Sequence, residues 1–107
     1  DMGLVLLAEG HLMILCGCCH AGLLNTIAHV QRSFGAPIDT IAGGLHLTGT
    51  TDDELGRLCG VLQEQPALRY IYANHCTGET AFVKLVNAFG LSVVQPLPAG
   101  SMLDIAA

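Results

Sequence analysis

The feature that most constrains this chain is an alternation of two hydrophobic periods along its length. Apolar residues recur at helical spacing at Leu23, Ile27, Val30 and Phe34, again at Leu55, Leu58, Cys59 and Leu62, and again at Phe82, Leu85, Val86 and Phe89. Each set lies along one face of a helix with a 3.6-residue repeat. Between and before these stripes lie short continuous runs at residues 4–8, 12–16, 38–42 and 68–73, the last (LRYIYA) rich in aromatic and β-branched side chains. Strands that alternate with helices predict an α/β fold, a mixed sheet with helices packed on it, here in the order ββαβαβαββ with the final two strands over residues 91–94 and 102–105.

Turn and cap residues fall where this order needs them. Gly10, in Glu9-Gly10-His11, supplies the positive φ of a hairpin between the first two runs. The first helix is expected over residues 21–34, stopped by Gly35 and Pro37. Thr51 with Glu54 forms a capping-box pattern for the second helix, and Pro66 ends it. Thr77 is the expected N-cap of the third, and Gly90 its stop. Pro96, Pro98 and Gly100 turn the chain before residues 102–105, a placement that favours an edge hairpin. With no internal repeat or linker, residues 1–107 read as a single domain or part of one.

Composition adds a second constraint. Apolar residues make up 51% of the chain and charged ones 12%, about half the usual ~25% for charged residues in a soluble domain. A chain this short has much surface for its volume, so the excess predicts an apolar face that a second polypeptide surface covers. That cover would be either a second copy or a missing piece of the same fold. The net charge of −5 and the scatter of Arg32, Arg57, Arg69 and Lys84 leave no basic footprint for nucleic acid. The apolar stretch over residues 3–19 is broken by Glu9, Gly10 and His11, short of the ~20 residues that span a bilayer. No basic segment precedes it, so a signal peptide is not expected. The five cysteines, Cys16, Cys18, Cys19, Cys59 and Cys76, are odd in number and unevenly spaced. That pattern argues against a disulfide framework and places the protein in a reducing cytoplasm.

Chemistry concentrates where predicted strands run out: His20 in GCCHAG, His46 in GGLHL and His75 in NHCTG. Strand ends are where α/β folds gather ligands, and neutral imidazole is the commonest protein ligand for zinc. Glycines and small residues beside all three let the backbone approach a ligand closely. Taken singly, each histidine also fits a structural or surface position. Helix N-termini near His20 and His75 would favour an anion beside any bound metal. His11 and His29 lack this context and read as ordinary polar positions. The Cys16-Gly17-Cys18-Cys19 run offers soft ligands for a metal or redox site, although Cys16, ending an apolar strand, also reads as a small buried hydrophobe. Cys76 could line a site or pack. Asp52, Asp53, Glu54 and Glu79 are explained by the dipole of the helices they open. Asp104 could reach a site from a terminal strand. Nucleophile-elbow, P-loop and dinucleotide fingerprints are all lacking.

GCCHAGLLNT, IAGGLHL and NHCTG, in this order, resemble the C-terminal half of metallo-β-lactamase-fold metal-dependent hydrolases, and within them the dihydropterin ribofuranosyl-aminobenzene phosphate synthase-like branch. The resemblance spans nearly the whole chain from Leu4 onward. It implies half of an αββα sandwich, with His20, His46 and His75 as metal ligands and Thr77 and Gly78 on the substrate side of the pocket. At the His46 position the wider superfamily commonly has aspartate. The implied cofactor is zinc or another divalent metal, two ions in the complete fold. The implied reaction is attack by metal-bound hydroxide on a phosphate-bearing or ester-like small molecule. The superfamily's H-x-H-x-D-H signature is absent from these residues, so the resemblance also implies a missing N-terminal half as partner. Two other readings stand beside it: a non-enzymatic, dimeric remnant or subunit of the same fold, and a cysteine-based metal or redox module.

Overall fold

In a computed structural model the chain is described over residues 3–8, 10–17, 19, 22–47, 49–74 and 77–98. The elements follow the order β1 (Gly3–Ala8), β2 (His11–Cys16), α1 (Leu23–Phe34), β3 (Ile38–Gly43), α2 (Asp52–Gln63), β4 (Tyr70–Ala73), α3 (Glu79–Phe89) and β5 (Val94–Pro96). The strands form one mixed sheet in sequential order, β1-β2-β3-β4-β5. β1 and β2 make the expected antiparallel hairpin, with Gly10 at φ 82°. From β2 to β5 every neighbouring pair is parallel.

Three successive crossovers step the same way across the sheet, so with uniform handedness all three helices fall on one face. The core follows that arrangement. Leu12, Ile14, Ile41, Ile71 and Val94 from the sheet join Leu23, Ile27 and Val30 of α1, Leu55, Leu58 and Leu62 of α2, and Leu85 of α3 in one buried cluster. Register places Leu4, Leu6, Met13, Leu15, Tyr70 and Tyr72 on the opposite face. Among the described residues no helix covers that face: Leu4 is 58% exposed, Leu6 37% and Tyr70 36%. Tyr70 and Tyr72 stack along it with ring centroids 5.8 Å apart. The apolar excess of the sequence therefore has a definite location, a sheet face with leucines and tyrosines turned outward.

Three expectations are corrected. Residues 91–93 form a turn rather than a strand, because the Val93 and Val94 N–H groups both donate to the Gly90 carbonyl, and β5 begins only at Val94. β5 then runs parallel to β4, outermost among the described strands, and ends at Pro96. Residues 102–105, the expected partner in a hairpin, lie outside the described residues. The second correction concerns Thr77: the N-cap of α3 is Gly78 and the helix starts at Glu79. α1 likewise starts later than expected, at Leu23 after Gly22. Thr51 caps α2 as its sequence requires, its hydroxyl accepting from the Glu54 N–H at 3.3 Å. No described helix is long and apolar enough to cross a membrane.

Candidate functional site

The parallel strands end together. Cys16, Gly43, Ala73 and Pro96 are successive register partners across β2, β3, β4 and β5, so the four connections that follow all leave from one edge of the sheet. In open α/β sheets this carboxyl edge is where ligands bind.

Gly43 is the tightest point of the row. Its φ is +116°, and a Cβ there would lie 1.9 Å from the Cys16 carbonyl oxygen. Its own carbonyl accepts the Asn74 N–H at 2.9 Å, which ties the residue after β4 back to the end of β3. Leu45 and Leu47 then anchor the β3–α2 loop in the core, while His46 between them is exposed, at φ 52°. A non-glycine residue in the left-handed region is uncommon and is sterically disfavoured. The alternation of two buried leucines around one exposed imidazole sets His46 at the strand-end edge. His20 and His75 lie outside the described residues, so the expected meeting of three imidazoles rests on His46 alone in the described part. Among the described residues no group of three or more His, Cys, Asp or Glu side chains is arranged to hold a metal ion. The described donors thus do not make a metal centre by themselves.

Thr77 and Gly78 line a concave site at the same edge. A cavity of about 270 Å³ is bordered by Asn74, Thr77, Gly78, Glu79, Phe82 and Pro96, between the ends of β4 and β5 and the first turn of α3. Thr77 is 2% exposed, and its hydroxyl accepts from the Leu45 N–H at 3.3 Å. That bond explains why it does not cap α3: its side chain is committed to the neighbouring loop, one residue before His46. Gly78 at φ 86° turns the chain into the helix and offers no side-chain cap, as does Gly22 at φ 93° for α1. First-turn N–H groups at both helix starts are therefore without a cap from these residues, at ends that carry positive dipole charge. Sequence reasoning missed Asn74, Phe82 and Pro96 as lining residues. Asn74 had a visible signal, as the residue directly before the NHCTG histidine.

Behind the β2 end the cysteines sort clearly. Cys16, Cys19 and Cys59 are all buried. The Cys16 thiol donates to the Cys19 sulfur across 3.5 Å, and Thr26 Oγ1 lies 3.5 Å from the same sulfur. Hydrogen bonding from Cys16 holds the Cys19 thiol down to about 6; burial opposes this, and Thr26 reinforces it. Cys59, in α2, is pushed up by burial, against a smaller downward pull from Lys84. Asp52 lies at the start of α2 as expected, 3.9 Å from Lys84. His11 and His29 are exposed, in keeping with ordinary polar positions. Cys18, Cys76 and Asp104 lie outside the described residues.

A five-stranded mixed sheet with three helices on one face and an open carboxyl edge defines the class of the protein as α/β. Comparison with known proteins then narrows the class. The chain superimposes on the crystal structure of a metal-dependent hydrolase of the β-lactamase superfamily with a TM-score of 0.85 at 28% identity, covering 98% of this chain and 40% of that one. It is also 32% identical over 80 residues to an uncharacterized protein of Methanocaldococcus jannaschii, over 75% of this chain and 29% of that protein. No protein-family profile matches. The chain spans less than half the length of either relative.

Proposed function

We propose that this chain is the C-terminal half of a metallo-β-lactamase-type αββα sandwich, of the dihydropterin ribofuranosyl-aminobenzene phosphate synthase-like branch, and that the complete protein is a metal-dependent hydrolase. The observation that carries the reading is the likeness to a metal-dependent hydrolase over 98% of the chain, at a TM-score of 0.85. Two features of the chain support it. The uncovered face bearing Leu4, Leu6, Tyr70 and Tyr72 is what half of a two-sheet sandwich would present to its other half. The row Cys16, Gly43, Ala73 and Pro96 brings the connections after four strands to one edge.

In this reading His20, His46 and His75 are the ligands this half contributes to zinc or a similar divalent ion, and the other half supplies the rest. Such an ion would polarise the scissile group and acidify a water at the edge. The chain's own contribution is positional. Leu45 and Leu47 fix the His46 loop, Thr77 ties that loop to the residues just before α3, and the first turn of α3, entered through Gly78, favours an anionic or polar group in the adjoining cavity. A phosphate-bearing or ester-like small molecule fits that set of donors, with Thr77 and Gly78 on its side of the pocket. Hydrolysis of a generic phosphodiester and a lactone by the metal-loaded protein, with and without chelator, tests the reading. Chelator-sensitive turnover that falls at least tenfold in His46→Ala is expected. Turnover indifferent to both chelator and His46→Ala would overturn it.

A further inference from the structure

We propose that Cys16 and Cys19 are a reversible dithiol/disulfide couple, a C-x-x-C pair that a low-molecular-weight disulfide oxidises to an internal bridge. The pair is set by the fold. Cys16 is the last residue of β2, held in register with Gly43, and Cys19 lies three residues on, with φ 62°. The two sulfurs stand 3.5 Å apart, both side chains buried at 7% and 3% exposure. A disulfide needs its sulfurs at ~2.05 Å. The two sulfurs are thus about 1.5 Å further apart than in a bridge, whereas Cys59 sits in α2, on a different element.

The exchange balances with a disulfide of the type RSSR as oxidant. The thiolate of one cysteine attacks RSSR, forming a mixed disulfide as the R–S–S–R bond breaks and one RSH leaves. The second cysteine's thiolate attacks the protein sulfur of that mixed disulfide, closing the Cys16–Cys19 bond and releasing the second RSH. Two electrons pass from the pair to RSSR, and the two thiol protons leave with the products. Neighbouring dithiols favour the second step because it is intramolecular.

Glutathione disulfide is the probe. In the triple variant Cys18→Ser, Cys59→Ser, Cys76→Ser only Cys16 and Cys19 remain. Incubation should remove both thiols from the denatured titre, leave the mass two hydrogens lighter with no glutathione attached, keep the chain without intermolecular links, and reverse with dithiothreitol. In the otherwise wild-type chain, Cys16→Ala or Cys19→Ala should slow loss of a thiol pair at least tenfold, whereas Cys18→Ser should leave it unchanged. Stable glutathione adducts, intermolecular bridges or persistently reduced thiols in the triple variant would overturn the proposal. So would pair oxidation that survives Cys16→Ala at the wild-type rate. Because the triple variant keeps both cysteines of the pair, its result does not depend on whether the alanine variants fold.

Discussion

Replacing Gly43 by alanine puts the whole strand-end arrangement under load at one atom. A Cβ at Gly43 would meet the Cys16 carbonyl oxygen at 1.9 Å, the Cys16 carbonyl carbon at 2.9 Å and the Cys16 nitrogen at 3.1 Å, where ordinary contact is 3.4–4 Å. All three atoms are backbone, so no side chain can swing away; β2 and β3 must part by about 1.5 Å at their last register pair. Overpacking of this kind costs about 1–3 kcal/mol, and forcing an alanine to hold φ +116° adds about 1–2 kcal/mol. The expected loss is therefore about 2–5 kcal/mol, a fall in melting temperature of at least ~8 °C for a domain of this size. Gly49→Ala is the control: its φ is +82°, yet nothing lies within 4 Å of the added Cβ, so only the conformational part, about 1–2 kcal/mol, should appear. Urea unfolding followed by circular dichroism reads both. Gly43→Ala within about 0.5 kcal/mol of Gly49→Ala would refute the close approach of the strand ends.

Thr77→Val keeps the shape but removes the acceptor for the buried Leu45 N–H, so it should cost about 1–3 kcal/mol, while Thr77→Ser should cost less; equal losses would show that the hydroxyl bond is not what matters. Gly56→Ala, inside α2 with nothing within 4 Å of the new Cβ, should stabilise the chain by about 0.5–1 kcal/mol in the same unfolding assay, and a destabilisation would contradict the helix. Burial raises the Cys59 pKa, so its fold favours the protonated thiol. That contribution is full below the unfolded thiol pKa of about 8.5 and is lost as pH rises above it, a loss that Cys59→Ala should abolish in unfolding curves taken on both sides of that pH. Leu6→Lys, on the uncovered sheet face, should lower self-association of the isolated chain in sedimentation without lowering its melting temperature; a large loss of stability would mean that the face is core.

Much of the fold was legible because each helix carries its own stripe. Leu23, Ile27 and Val30, and Leu55, Leu58, Cys59 and Leu62, are buried as their spacing required. Local chemistry was equally readable at Gly10 and at the Thr51 cap, where the partner lies within three residues. Thr77 misled because its hydroxyl is taken by Leu45, thirty-two positions away, a contact that no local pattern encodes. Residues 91–93 misled because Leu91, Val93 and Val94 look like a strand while two N–H groups fold back onto Gly90. The direction of β5 depends on the crossover of α3, which apolar runs do not reveal. Of the three strand-end histidines, only His46 lies among the described residues, and it is exposed between the buried Leu45 and Leu47. Cys16 and Cys19 were visible as a cluster, but the 3.5 Å approach of their sulfurs was not.

Divalent-metal binding, measured by calorimetry and by thermal shift, decides whether His46 is a metal ligand. Zinc or manganese is expected to stabilise the protein carrying both halves by about 2.7 kcal/mol at a hundredfold excess over the dissociation constant, and His46→Ala to weaken binding at least tenfold. Equal affinity in wild type and His46→Ala, or no metal-dependent shift in either, would contradict that role.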